Sequence, residues 1–183
     1  MSAYPIECHA KPKRDDARWS ADLITRGGVI LHVRPAGPAD KIILTVLFRH
    51  LSPDDRRFRF MGVVQEVDER QIAPMLDESG RVTTFLAFND AQQAVACATL
   101  FDEPDGRSAE VTLSVHADWK GRGVSWTLLE HVIAFAKAHG IHRVTSIESG
   151  EDRAAINLER EMGFVARLLC ADPIEVGLSK ALD

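Results

Sequence analysis

Between Ser108 and Ala138 the chain reads SAEVTLSVHADWKGRGVSWTLLEHVIAFAKA. A β-rich run ends near His116, a short loop carries Lys120-Gly121-Arg122-Gly123, and an apolar helical stripe starts at once with Val124 and Ser125. Glycines there let the backbone approach a ligand closely, and the first amides of a helix have no partners within it. Pointed outward, such amides form a nest for anionic oxygens, assisted by the positive end of the helix dipole. Lys120 and Arg122 add fixed positive charge. The chemistry this asks for is phosphate or pyrophosphate binding, and a plain tight turn is the alternative reading of the same residues. The loop is not GxGxxG, no acidic residue stands at the dinucleotide spacing, and the GK[ST] of a P-loop is missing. His116 has a titration range suited to proton exchange, although a solvated loop entry is the favoured reading. The seven histidines show no HxH or HExxH spacing, so no metal site is expected. Cys97, in an apolar run, reads as a small buried residue.

The elements that must hold this loop follow from period and punctuation. Ala21–Thr25, Arg26-Gly27-Gly28 and Val29–Arg34 read as a hairpin with a glycine turn. A helix is expected from about Pro38, with Ile42, Ile43, Val46 and Leu47 on one face. Ser52-Pro53-Asp54-Asp55 has the hydroxyl, proline and acids of a capped helix start. It leads into Arg56, Arg57 and Arg59, interleaved with Phe58 and Phe60; the favoured reading leaves the arginines solvated and turns the two rings to the core. A short helix is expected over Asp68–Leu76. Strands follow at Val82–Phe88 and Ala94–Phe101 across an Asn89-Asp90 turn, and Pro-Asp-Gly then leads into a third strand, Ser108–His116. After the helix that ends at Gly140 come a strand at Ile141–Ile147, a helix at Asp152–Met162, a strand from Gly163-Phe164 and a last strand at Ile174–Ser179. Strands first and then βαβαβ predict a mixed α/β sheet with both hairpins and crossovers.

The chain has 183 residues, 45% hydrophobic and 27% charged, enough for one domain with a real core. The expected division is an arm over residues 1–20 and a single domain over 21–183. A net charge of −5 argues against nucleic acid or an anionic membrane as partner. No apolar run approaches the roughly 20 residues of a membrane span. The first residues lack the hydrophobic stretch of a signal peptide. Three cysteines, far apart and never in CxxC spacing, exclude a disulfide scaffold and a thiolate zinc site. A cytoplasmic protein without metal is the expectation.

Lys120-Gly-Arg-Gly-Val-Ser125 resembles the acetyl-CoA pyrophosphate loop of the GNAT superfamily of N-acetyltransferases, whose pattern is Arg/Gln-x-x-Gly-x-Gly/Ala. Asp152-Arg-Ala-Ala-Ile-Asn-Leu-Glu-Arg-Glu-Met-Gly163-Phe164 resembles that superfamily's helix followed by Gly-Phe. Arg34-Pro-x-x-Pro-x-Asp40 and Leu51-Ser-Pro-Asp-Asp-Arg-Arg-Phe-Arg-Phe60 narrow the likeness to the bacterial protein lysine acetyltransferase (Pat) type, with Tyr4-Pro5 at a similar distance from the first strand. The departures are Lys120 where Arg or Gln is usual, Ser125 where Gly or Ala is usual, and Asp152 in place of an Asn. None removes a backbone amide from the loop, and Asp152 reads first as a helix cap.

The resemblance implies an α+β GNAT fold: a mixed, mostly antiparallel sheet flanked by helices, with a V-shaped splay for acetyl-CoA between the strand ending near His116 and the strand starting near Ile141. Backbone groups of Leu113, Ser114 and Val115 would pair with the pantetheine arm, and an amide near Val115 would stabilise the oxyanion. Lys120, Gly121, Arg122, Gly123, Val124 and Ser125 would hold the pyrophosphate, with Asp152 beside them. A lysine amine is only about 0.1% neutral near pH 7.4, a handicap of about 4 kcal/mol, so a base is needed. The likeness assigns that role to Glu110. The superfamily's usual tyrosine acid has no counterpart, because its position is Glu159 and the only tyrosine is Tyr4. The implied activity is acetyl transfer to an amine by direct attack, with a protein lysine as acceptor and coenzyme A as product. A small-molecule amine acetyltransferase and a non-catalytic acyl-CoA sensor are the alternatives, in a monomer or homodimer.

Overall fold

The computed structural model describes residues 17–62 and 67–183. Tyr4-Pro5 and most of the expected arm lie outside them. Among the described residues the arm's last part forms a 3-10 turn, Ala17–Trp19, and Trp19 packs edge-on against Phe135 with ring centroids 5.3 Å apart.

Eight strands form one sheet: β1 (Ala21–Ile24), β2 (Ile30–Pro35), β3 (Val82–Phe88), β4 (Ala94–Asp102), β5 (Ser108–Val115), β6 (Arg143–Ser149), β7 (Val165–Ala171) and β8 (Ile174–Ala181), in the order β1-β2-β3-β4-β5-β6-β8-β7. Every neighbouring pair is antiparallel except β5 with β6. That one parallel pair needs a crossover, supplied by α4 (Val124–Ala138). The other helices are α1 (Lys41–Arg49), α2 (Pro53–Arg59), α3 (Glu69–Ile72) and α5 (Arg153–Glu161).

The core has two parts, one on each face of the sheet. On one side Leu128, Val132 and Phe135 of α4 and Ile156 of α5 pack on Leu31, Phe85, Leu100, Val111 and Val144. On the other, Leu44, Leu47 and Phe48 of α1, with Ile72 and Met75, cover Leu86, Phe88 and Cys97. The inward face of α1 differs from expectation. A 3-10 turn over Pro38–Asp40 delays the helix to Lys41, and the i, i+3, i+4, i+7 series that faces the core is Leu44, Leu47, Phe48 and Leu51. Ile42 is therefore 75% exposed and Val46 45%. The start of α2 follows the sequence closely: the Ser52 hydroxyl accepts from the Asp55 amide at 3.1 Å. Arg34 grips the buried Asp40 with two hydrogen bonds of 2.7 and 2.6 Å, which fixes the Arg34–Asp40 segment against α1.

No helix among the described residues is long and apolar enough to cross a membrane.

Candidate active site

The parallel pairing of β5 with β6 covers only Ser108 with Arg143, Ala109 with Val144 and Glu110 with Thr145. Beyond that point β5 stays paired with β4 through Val115, while β6 stays paired with β8 through Ser149. The facing edges part at Glu110, and a V opens between them. From Val111 to Val115 the β5 edge toward β6 carries no ladder partner among the described residues, so its amides and carbonyls can take an extended ligand as another strand would.

A cleft of about 260 Å³ fills this V. Leu113, Ser114, Val115, Lys120, Gly121, Ser125 and Asp152 all line it. Arg122, Gly123, Val124 and Glu110 are not in its lining. Val124 is buried in the core beneath α4, so only its backbone can meet a ligand, and Arg122 lies over the Trp119 ring at 4.9 Å.

The loop has the geometry of an anion nest. Gly121 and Gly123 hold φ of +74° and +80°, a region that disfavours side chains. Among the described residues no group accepts from the amides of Gly121 through Trp126, and Thr127 is the first to bond back, to the Gly123 carbonyl at 3.1 Å. Gly123 also abuts the β1–β2 turn: a Cβ there would lie 3.2 Å from the Arg26 nitrogen. Gly27 in that turn reciprocates, since its Cβ would lie 2.9 Å from the Arg122 carbonyl oxygen. The N-terminal hairpin therefore buttresses the loop, a relation that only the fold reveals. Arg26 also stacks on Trp126, 3.6 Å from the ring centroid.

Lys120 is not a free cation here. Its Nζ donates to both oxygens of Asp55 at 2.6 and 2.8 Å and ties the loop to the first turn of α2. Asp152 caps α5 by accepting from the Ala155 amide at 3.0 Å.

Strand alternation turns Ala109, Val111, Leu113 and Val115 toward α4 and its core, and Glu110, Thr112 and Ser114 to the opposite face. Glu110 is partly buried at the vertex of the V. Burial raises its pKa first, with Glu103 adding to the rise and Arg59 opposing it. From outside the lining, a carboxylate at the vertex can act on a nitrogen in the cleft through a bridging water.

Three acid–base features escaped the sequence reading. Arg59 is not solvated but lines the cleft, where burial pulls its pKa down and the nearby Glu110 and Glu148 oppose the shift. Glu148 and Glu159 also line the cleft, their carboxyl groups hydrogen-bonded to one another, and the Ser146 hydroxyl donates to Glu159. Burial is the main cause that lifts Glu148 to about 8 and Glu159 to about 7. Strand polarity offered no signal for this, since Glu148 alternates with the exposed Ile147. His116 is likewise not solvated: only 4% exposed, it stacks on His50 at 4.8 Å, and burial lowers its pKa. Its Nδ1 accepts from the Asp118 amide, a cap rather than a proton shuttle. Burial pushes the Cys97 thiol up to about 12, which keeps it an inert core residue. Among the described residues no group of His, Cys, Asp or Glu could hold a metal ion.

The GNAT domain of S. lividans Pat superimposes with a TM-score of 0.83 at 22% identity, covering 91% of this chain and 98% of that one. Spermidine N-acetyltransferase from Vibrio cholerae, solved with CoA and spermine, gives a TM-score of 0.69 at 15% identity over 82% of this chain and 95% of that one. In sequence, acetyltransferase PA5475 of Pseudomonas aeruginosa is 27% identical over 151 residues, which is 74% of this chain and 75% of that protein. The acetyltransferase (GNAT) family model matches residues 47–164, a span that holds β5, the glycine loop, α4 and α5. With the sheet, the V and the loop all in the arrangement of that family, the chain belongs to the GNAT acetyltransferases and is an acyltransferase.

Proposed function

We propose that this protein transfers the acetyl group of acetyl-CoA to an amine, with a protein lysine side chain as acceptor and Glu110 as general base. The observation that carries the reading is the parting of β5 from β6 at Glu110, which sets one carboxylate at the vertex of a cleft whose far end is the glycine loop. The residues present fit the donor. Unpartnered amides from Gly121 to Trp126 suit its pyrophosphate, and the free edge of β5 from Leu113 to Val115 suits the amides of its pantetheine arm. Once bound there, acetyl-CoA supplies an activated carbonyl.

The chain's own groups do the rest. Glu110, directly or through a water, removes the proton that keeps an ammonium from attacking. The amide near Val115 would stabilise negative charge on the carbonyl oxygen. No nucleophilic side chain is required, consistent with Cys97 being held protonated in the core.

A second depression, of about 480 Å³, adjoins the first cleft and offers room for an acceptor larger than a free diamine. It shares Phe58 with the first cleft and lies between Arg57–Gly62 and the turns at Glu151 and Ala171–Glu175. Its lining carries Glu151, Asp172 and Glu175; Arg57 holds Glu151 at 2.5 Å, which leaves Asp172 and Glu175 as the carboxylates that can meet a cationic acceptor. Thiol release from acetyl-CoA, measured on matched panels of lysine peptides and polyamines, tests the assignment. Turnover confined to peptides supports it, and turnover confined to polyamines moves the protein to the small-molecule class.

A further inference from the structure

Cleaving a thioester leaves an electron pair on sulfur, and the cleft must hold a proton to meet it. From the geometry of the cleft we infer that Glu148 is the acid that protonates the departing thiolate, with Glu159 as the residue that keeps Glu148 protonated and in place. The inference rests on the acetyl-transfer reading above.

Three observations carry it. Glu148 and Glu159 both line the cleft that takes the thioester, one from β6 and one from α5, and they share a hydrogen bond. Two carboxylates in hydrogen-bond contact cannot both be ionised in such a place, so one proton sits between them. The Ser146 hydroxyl donates to Glu159, which marks Glu159 as the carboxylate of the pair and Glu148 as the acid. Both line the cleft, and Glu148 is the more exposed of the two: Glu159 is 6% exposed, whereas Glu148 is only partly buried. The groups facing the pair are Asp152 from the start of α5, which disfavours a second negative charge, and Arg59 from α2, which favours it. Ser146 completes the set from β6.

The step balances. The amine nitrogen's lone pair forms the bond to the acetyl carbon, the C–S bond breaks, and sulfur keeps that pair. The proton of Glu148 passes to sulfur, and coenzyme A leaves as the thiol. An ammonium sheds two protons on its way to the amide. Glu110 takes the first and passes it to bulk water before attack, then takes the second. Exchange through water carries that one to the Glu148–Glu159 pair, so one proton is released per turnover. An acid near pH 8 is matched to a thiol of ordinary pKa about 8.5, so the transfer is close to even in either direction. Arg59 lies where it can offset the charge left behind on the pair.

The test compares wild type, Glu148→Gln and Glu159→Gln by acetyl-CoA calorimetry and by kcat across the pH range 6–10. Wild-type kcat should fall on the alkaline side as the pair loses its proton. Glu148→Gln should lower kcat by about tenfold or more and abolish that limb, with the acetyl-CoA Kd within about threefold. Glu159→Gln should move the limb to lower pH, since Glu148 then titrates nearer an ordinary carboxyl. An alkaline limb unchanged in Glu148→Gln overturns the inference. A second readout needs no acceptor: the ultraviolet thiolate signal of bound CoA, taken against desulfo-CoA. The bound thiol should titrate at lower pH in Glu148→Gln than in wild type, because the neighbouring negative charge is gone, and an unchanged midpoint overturns the inference. Should wild type acetylate no amine, the parent reading fails on its own and this titration still decides the role of Glu148.

Discussion

Lys120 and Gly123 show how differently two residues of one loop reach a ligand. Lys120 brings charge, but in this structure that charge is held by Asp55 at 2.6 and 2.8 Å, and a pyrophosphate has to compete for it. Gly123 brings only the absence of a side chain, and nothing can replace that. Its φ of +80° penalises any side chain by about 1 kcal/mol or more, and a Cβ would press on backbone at 3.2 Å. Gly123→Ala is therefore expected to weaken acetyl-CoA binding by tenfold or more in calorimetry. Lys120→Ala should cost only about threefold and make binding less sensitive to salt, as an exposed point charge would. The loop glycines and the cap role of Asp152 were legible in the sequence, because each rests on local spacing or on a short motif, whereas Glu110 entered only through the family resemblance. Arg59 and Glu148 were not, since what sets their chemistry is burial by elements distant in the chain.

The element that organises the site is the fork between β5 and β6. Its three-residue pairing comes from strand order, because the crossover by α4 brings β6 alongside only the start of β5. The glycine loop has a second support in the β1–β2 turn, whose Gly27 would place a Cβ 2.9 Å from the Arg122 carbonyl oxygen. Gly27→Ala should raise the acetyl-CoA Kd several-fold, although the residue lies nearly a hundred positions from the loop. Unchanged affinity in calorimetry would show that the turn does not support the loop. Strands and their turns were readable from alternation and from Asn-Asp and Pro-Asp-Gly punctuation. The face of α1 was not, because the helix carries two overlapping apolar stripes that share Leu47, and only packing against the sheet selects Leu44, Leu47, Phe48 and Leu51.

At the scale of the whole molecule, the cleft's carboxyl groups link function to stability. Glu110, Glu148 and Glu159 all have folded-state pKa values raised by burial. The native state then binds more protons than the unfolded chain from about pH 4.5, their ordinary value, up to about 8. Their contribution to stability is fully present below that window and is lost as pH rises through it. Thermal unfolding midpoints should fall between pH 5 and about 8, and Glu148→Gln should blunt the fall and stabilise the protein at the alkaline end. A steeper fall in the variant would contradict the burial of that carboxyl group. The same folding that imposes this cost sets the Glu110 carboxyl at the vertex of the V and the Glu148–Glu159 pair on the wall of the cleft. The most direct test of the account is acetyl-CoA affinity together with thiol release for Glu110→Gln beside wild type, on the acceptor that wild type uses best. The account predicts an unchanged Kd with kcat reduced by about a hundredfold or more at neutral pH. Wild-type turnover in Glu110→Gln would contradict it.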